Sequence, residues 1–334
     1  MTLPAPGLKI LILGRRELER LLTPAVVIAA VRSAFRQYAE GSYRALARQA
    51  MAVPPYGLLL VMPSALLEDR ALGTKLVTVY GRNRERGLPT IYASYLLQDL
   101  ETGAPLALME AGFLTGIRTG ATSALAASFL ARPDSHSVAC FGAGVQAAHQ
   151  LRCLAAVFGL ERALVVGRTP ERAWAFVEAM SKELGIPVLL APSAREAVSQ
   201  ADIVTCATTS STPVFDGRDL RPGTHVDAVG AFRPETREVD TETVRRARVV
   251  VDTHAGAQEE AGDLLIPIQE GAITMAHVAA ELAELVTGAR PGRTSREEIT
   301  LFKSVGFALE DAAVARLAYG RARAAGVGQH VSLE

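Results

Sequence analysis

The sequence predicts an α/β protein in which a doubly wound parallel sheet follows a mixed α+β segment. Two observations carry this. From Ser137 onward, short apolar runs alternate with helical patterns: Ser137–Phe141, Arg162–Val166, Val188–Leu190, Ile203–Ala207, His225–Val229 and Val249–Asp252 read as strands. That alternation is the mark of a parallel sheet covered by helices. The first of these runs also opens into "GAGVQA", a glycine turn placed between a strand and a helix.

Ahead of Ser137 the rhythm differs. Leu8–Leu13 is strand-like, and "LTPAVVIAAVRSAFRQYAEG" reads as a helix with Thr23 at its cap, Pro24 in its first turn and Gly41 at its end. Further strands are expected at Leu58–Met62, Gly73–Tyr80 and Ile91–Asp99, with "GRNRERG" as a solvated hairpin connection. This pattern suits a mixed sheet with one helix-covered face. "PERAWAFVEAMSKELG" is a helix closed by a glycine, and the chain beyond Pro291 reads as one long helix running through "REEITLFKSVGFALEDAAVARLAYGRARAAG".

Composition narrows the function. The 334 residues suffice for two domains, and 35 basic residues balance 35 acidic ones, which gives no electrostatic case for nucleic acid or an anionic membrane surface. No apolar run is long enough to span a bilayer, and no basic, apolar and small-residue succession opens the chain, so a cytoplasmic protein without a secretory signal is expected. The three cysteines (Cys140, Cys153 and Cys206) lack paired spacing and read as reduced core thiols. The six histidines form no HExxH and no His/Cys pair, so no metal site is expected.

In the glycine turn, Gly142, Gly144 and Ala147 satisfy GxGxxG/A. Gly142 permits the tight turn, Gly144 lets a pyrophosphate approach the backbone, and Ala147 lets the helix pack on the strand. An NAD enzyme usually ends its second strand on an acidic residue for the ribose hydroxyls. Here the tip reads "VVGRTPERA", with Arg168, Thr169 and Arg172 and no acid at the strand end. These side chains suit a 2′-phosphate, so NADPH is the expected cofactor, with NADH also admitted.

Three basic residues stand out in the first third. Arg48 lies in "ALARQAMAVP", Lys75 inside the apolar strand "GTKLVTVY", and Arg118 among small residues in "LTGIRTGATSALA". A buried lysine needs a partner or a task. For any one of them alone, a solvated end or a structural ion pair is the ordinary reading, and the sequence does not show that they converge.

The stretches "LLLVMPSALLEDRALGTKLVTVY", "LTGIRTGATSALAASFL", "FGAGVQA", "GTHVDAVGAFRPETREVD", "EEAGDLL" and "LFKSVGFALEDAAVARLAYGRA", in this order, resemble the ornithine cyclodeaminase/mu-crystallin family over nearly the whole chain. The resemblance implies a Rossmann-type NAD(P)-binding domain at 123–295. It also implies an α+β substrate-binding and dimerisation domain built from both chain ends, at 1–122 and 296–334, and a homodimer. It implies hydride transfer between a nicotinamide and the α-carbon of an amino or imino acid. Arg48 and Arg118 would hold the substrate carboxylate beside Thr90, Lys75 would stand near the reacting carbon and nitrogen and supply a proton, and Glu260 would be a second catalytic group. The dinucleotide would meet Gly142, Ala143, Gly144, Val145 and Gln146 in the turn. Thr119, Thr208, Val229, Lys303 and Ser304 would meet it elsewhere.

Two positions depart from the cyclodeaminase pattern. That enzyme carries a glutamate two residues before its Met-Pro, where this chain has Leu60, and an aspartate in a turn where this chain has Phe232 in "VGAFRP". Neither can bind an ammonium by charge or accept a proton. Glu235 or Asp227 could replace the missing acid, though both sit off the matching place. The family's alanine dehydrogenase also keeps that aspartate. The expectation is therefore an NADPH-dependent reductase of cyclic ketimines such as Δ1-pyrroline-2-carboxylate or Δ1-piperideine-2-carboxylate, or of imines formed from 2-keto acids and amines. The alternatives are an amino-acid dehydrogenase or cyclodeaminase using NAD, and a non-enzymatic NADPH-dependent binding protein.

Overall fold

The computed structural model describes residues 9–333; Leu8, expected to open the first strand, lies outside them. In chain order the elements begin with β1 (Lys9–Leu13), α1 (Arg15–Leu21) and α2 (Pro24–Ala39). Next come β2 (Tyr43–Ala45), β3 (Gln49–Val53), β4 (Gly57–Leu66), β5 (Ala71–Val79), β6 (Ile91–Asp99) and β7 (Pro105–Glu110). Helix α3 (Ala111–Leu130) leads to β8 (Ser137–Phe141), α4 (Val145–Ala155), β9 (Arg162–Val166), α5 (Pro170–Leu184), β10 (Val188–Leu190) and α6 (Ala194–Gln200). There follow β11 (Ile203–Cys206), β12 (His225–Ala228), α7 (Thr241–Arg246), β13 (Ala247–Val251), α8 (His254–Glu260) and α9 (Gly262–Gln269). The chain closes with β14 (Val278–Glu281), α10 (Leu282–Thr287), β15 (Ile299–Lys303), α11 (Ala308–Ala325) and β16 (Gln329–Ser332). These elements form two units: one reaches Arg118 and resumes at Ala308, and the other is Thr119–Phe307.

The first unit is a mixed sheet ordered β16-β1-β7-β6-β5-β4-β2, with β3 also paired to β4. All its pairings are antiparallel except β1 with β7. Helices α2 and α11 pack on each other, and α11 also packs on β4 and β5. The face of α2 turned inward carries Val27, Val31, Ala34 and Phe35, an i, i+4, i+7, i+8 stripe that is almost wholly buried. Thr23 stands at the cap of α2 and Pro24 in its first turn, as expected, but the Thr23 hydroxyl makes no cap hydrogen bond. Gly41 follows the helix in the left-handed region, with φ +73. "GRNRER" forms a short 3-10 helix connecting the antiparallel pair β5 and β6.

The second unit is a parallel sheet ordered β10-β9-β8-β11-β12-β15-β13-β14. Strands β8 and β11 are buried at every position, which explains their mostly apolar composition. Read from β8 outward, the first five strands have the order of a doubly wound dinucleotide fold. The sixth place is taken by β15, from much later in the chain. This corrects the expectation of one helix after Pro291: Ile299–Lys303 is a fully buried strand between β12 and β13, and α11 starts only at Ala308. The edge strands β2 and β3, mostly exposed, and the strand β7 were not expected either.

Gly73 on β5 makes room for a neighbour on β6. A β-carbon there would lie 2.5 Å from both the Leu96 carbonyl oxygen and the Tyr95 ring. Gly73→Ala is expected to lower stability by about 1–3 kcal/mol in urea unfolding, as an overpacked core position does.

Candidate active site

One row of residues crosses the first sheet in register: Leu13, Met109, Tyr95, Lys75 and Met62. Residues directly opposite each other on neighbouring strands share a face, and all five are buried. Lys75 is thus an ammonium set into an apolar ladder, 2 % exposed. Helix α11 supplies its partner: the Lys75 Nζ donates to Asp311 Oδ2 at 2.6 Å. The other oxygen of Asp311 accepts from Arg118 Nε at 3.1 Å, and Arg118 Nη1 donates to Glu310 Oε2 at 2.9 Å. All four groups are buried, and all belong to the first unit. Arg118 is the only charged residue of α3. Glu310 and Asp311 stand in the first turn of α11, where the helix dipole favours negative charge.

Burial lowers the proton affinity of Lys75, Asp311 raises it, and the Arg118 and Arg48 charges lower it again, leaving its pKa at about 8. For Asp311, burial works against the charged form, but the Lys75 and Arg118 cations outweigh it and hold the carboxyl below its ordinary value. Burial likewise opposes the charge on Arg118, which Asp311 and Glu310 restore, raising its pKa above its ordinary value. Arg48 is half-buried in the connection between β2 and β3. Leu60 is buried on the Lys75 face of β4, two residues before Met62. Thr90 is half-buried just ahead of β6, and its carbonyl accepts from the Tyr80 amide at 2.8 Å.

Glu310 and Asp311 were not singled out in the sequence, although "ALEDAAVARLA" holds the clue. Two adjacent acids among alanines and leucine have no packing reason to be there, so they signal buried cations awaiting partners.

In the second unit, the turn after β8 behaves as the glycine pattern requires. Gly142 has φ +112, and a β-carbon there would lie 2.5 Å from the Ala207 carbonyl oxygen. Gly144, at the N-cap of α4, has open space above it and no side chain capping the helix. The first amides of α4 and the helix dipole therefore face a free cradle, formed by Ala143, Gly144, Val145 and Gln146, that fits a pyrophosphate. Ala147 is fully buried, as close helix–strand packing demands. Arg168, Thr169 and Arg172 are exposed at the tip of β9, and Thr169 makes no cap hydrogen bond to α5. Thr119 is buried in α3.

Beyond β11 and β12 a buried carboxylate ties the strand ends together. Glu238 accepts from the Thr208 amide at 2.6 Å and its hydroxyl at 2.7 Å, and from the Gly230 amide at 2.6 Å. Val229 precedes this clasp, half-buried. The Glu238 amide donates to Asp263 Oδ1 at 2.6 Å, and Asp263 Oδ2 lies 2.7 Å from Lys303 Nζ. Lys303, expected to meet the cofactor, is 0 % exposed and also donates to the Ala231 carbonyl. Its ammonium is committed to the core and not presented to a ligand. Ser304 is buried, and its hydroxyl donates to Asp252 at 2.8 Å.

Phe232, in the loop after β12, is 39 % exposed, with the Arg233 guanidinium 5.9 Å from its ring centre. Glu260 ends α8 and is half-buried. Of the two acids weighed as replacements, Asp227 is fully buried with its Oδ1 3.3 Å from His225 Nε2, which removes it from any substrate. Glu235 is exposed. Among the described residues no cluster of three or more His, Cys, Asp or Glu could hold a metal ion, and no helix is long and apolar enough to cross a membrane.

A glycine turn on a doubly wound sheet, together with a unit holding a buried, charge-balanced lysine, defines an NAD(P)H-dependent oxidoreductase. The chain belongs to the ornithine cyclodeaminase/mu-crystallin family, whose profile matches residues 9–326. The solved structure of a Thermococcus litoralis Δ1-pyrroline-2-carboxylate reductase, in complex with NADH and L-proline, superposes with a TM-score of 0.94 at 46 % identity, covering 96 % of this chain and 100 % of that one. A Δ1-pyrroline-2-carboxylate reductase of Bacillus cereus is 42 % identical over 273 residues, 81 % of this chain and 84 % of that protein. The ketimine reductase mu-crystallin of Rattus norvegicus is 34 % identical over 305 residues, 90 % of this chain and 93 % of that protein.

The buried lysine of the second unit gives a stability test. Lys303→Met leaves Asp263 charged and unpaired, so urea unfolding is expected to show a loss of about 3–5 kcal/mol.

Proposed function

We propose that this chain reduces 2-imino acids, above all cyclic ketimines such as Δ1-pyrroline-2-carboxylate or Δ1-piperideine-2-carboxylate, with NADPH as the preferred cofactor and NADH accepted. The observation that carries the reading is the charge pattern around Lys75. Lys75, Arg118 and Arg48 set three cations against the two carboxylates Asp311 and Glu310, and a substrate carboxylate brings that cluster to neutrality. Arg48 and Arg118 hold the carboxylate and so orient the carbon–nitrogen double bond. The Lys75 ammonium transfers a proton to the imine nitrogen: its N–H bond breaks as the substrate N–H bond forms, and Lys75 is left neutral until solvent reprotonates it. The bound dinucleotide supplies the hydride that reduces the imine carbon. Leu60 on the Lys75 face offers an apolar wall to a ring and no partner for a distal ammonium. In this reading Thr90 adds a hydroxyl to the substrate site.

Arg168, Thr169 and Arg172 favour NADPH through its 2′-phosphate. The face of the first sheet opposite Lys75 carries Leu76 and Leu108, 41 % and 40 % exposed; covering it with a second copy makes the protein a homodimer. The three cysteines are buried and form no disulfide, and burial pushes the Cys140 and Cys153 thiols up to about 12. Inert, reduced thiols of this kind suit a cytoplasmic setting.

The reading is tested by following nicotinamide absorbance with both cyclic ketimines and with pyruvate plus an amine, L-ornithine with NAD being run alongside. Rapid NADPH oxidation with the ketimines and none with ornithine is expected. Proline formed from ornithine would establish the cyclodeaminase instead, and tight NADPH binding without turnover of any imine would establish the binding protein. Lys75→Met is expected to lower turnover by roughly 10²–10⁴-fold with NADPH binding kept. Because the protonated lysine is the active form, kcat/KM is expected to fall as pH rises through about 8. Arg168→Ala is expected to raise KM for NADPH about tenfold and to leave KM for NADH nearly unchanged.

A further inference from the structure

We propose that Asp311 is the positioning residue of this site, a single carboxylate that holds the proton donor Lys75 and the carboxylate anchor Arg118 at a fixed spacing. The proposal rests on the reductase reading for its chemistry, but its geometry stands on its own. Asp311 engages Lys75 through Oδ2 at 2.6 Å and Arg118 through Oδ1 at 3.1 Å. Both cations are bulky, buried and on separate elements, β5 and α3. Without a shared partner, each would settle at its own optimum. With it, the distance between the groups that grip the two ends of an imino acid is set by the width of one carboxylate.

Glu310 acts differently. It meets Arg118 through Nη1 at 2.9 Å and completes the grip on the guanidinium from the neighbouring position of α11. Asp311 alone among the two acids carries a hydrogen bond to Lys75.

The groups that face Lys75 are Asp311 from α11, Arg118 from α3, Arg48 from the connection before β3, and Tyr95 opposite it on β6. Burial keeps the Tyr95 phenol neutral. The carboxylate of Asp311 is thus the one negative charge opposing the two guanidiniums at the ammonium, and removing it lowers Lys75's proton affinity. Asp311 does not touch the reacting atoms in this scheme. It decides where Lys75 stands and up to what pH it keeps its proton.

The experiment compares wild type, Asp311→Asn, Asp311→Glu and Glu310→Gln in two readouts. The first is the pH profile of kcat and KM with Δ1-pyrroline-2-carboxylate and NADPH. The second is the titration of the Lys75 Nζ resonance in protein labelled with ¹⁵N-lysine, assigned by its absence in Lys75→Met. Asp311→Asn is expected to lower kcat by roughly 10²-fold and to move both the basic limb and the Lys75 titration to lower pH by at least about one unit. Glu310→Gln is expected to raise KM and leave the Lys75 titration in place. Asp311→Glu keeps the charge but moves it, so it is expected to titrate near wild type with kcat still reduced. An unmoved Lys75 titration in Asp311→Asn overturns the proposal, and so does a Glu310→Gln titration displaced as far. If Asp311→Asn does not fold, wild-type kcat in Asp311→Glu overturns it. Wild-type inactivity with every imine counts against the reductase reading alone, because the titration is read without substrate.

Discussion

The burial of one ammonium organises the first unit. Lys75 lies in a row of apolar side chains, and an unpaired charge there would cost several kcal/mol. That cost is offset only when the first turn of α11 lies over β5 with Asp311 in reach. Once α11 is pinned in that place, its adjacent acid meets Arg118, and the small residues that surround both acids let the helix lie close against the sheet. The hollow left by Gly73 for the Tyr95 ring belongs to the same arrangement, since Tyr95 stands directly opposite Lys75. The need to neutralise one buried lysine has become the constraint that locates a helix.

The second unit uses a lysine of similar burial for another purpose. Lys303 is closed in by Asp263 and the Ala231 carbonyl, and Asp263 in turn holds the amides of Glu238 and Val239. Through Glu238 this network reaches Thr208 and Gly230, so the segments following β11 and β12 and the last residue of β15 share one set of hydrogen bonds. Ligands of doubly wound sheets bind at the carboxyl ends of the strands, and here those ends are fixed from beneath. The two lysines differ in their company. Lys303 meets the Asp263 carboxylate and the Ala231 carbonyl, whereas Lys75 shares its acid with a guanidinium, and burial, together with the Arg118 and Arg48 charges, lowers its proton affinity.

Much of this was readable in the residues. Strands such as "SVACF" and "IVTC" are buried on both faces, so they appear as mostly apolar runs, and Gly142 and Gly185 mark the turns that left-handed backbone requires. "ITLFK" was not readable as a strand, because five residues without a visible period merge with the helix that follows and only the sheet decides between them. Lys75, Arg48 and Arg118 could be singled out as costly charges, but their convergence depends on strand register and on α11. Asp311 follows from the same principle in reverse. A buried cation implies a buried anion, which the sequence does not locate when it lies more than two hundred residues away. The role expected for Lys303 came from the family resemblance of "LFKSVGFALEDAAVARLAYGRA", and pattern alone does not reveal that its side chain turns inward.

Placing α11 near the end of the chain also imposes an order on biosynthesis. On a ribosome, everything from β1 to β15 emerges before the two acids that neutralise Lys75 and Arg118. The parallel sheet can therefore consolidate while the segment before it still carries two cations without their carboxylates, a state that resists collapse because burying them unpaired is prohibitive. Burying these cations with their partners therefore awaits residues 310 and 311. The acids that neutralise Lys75 and Arg118 in the finished fold are thus among the last of its parts to be made.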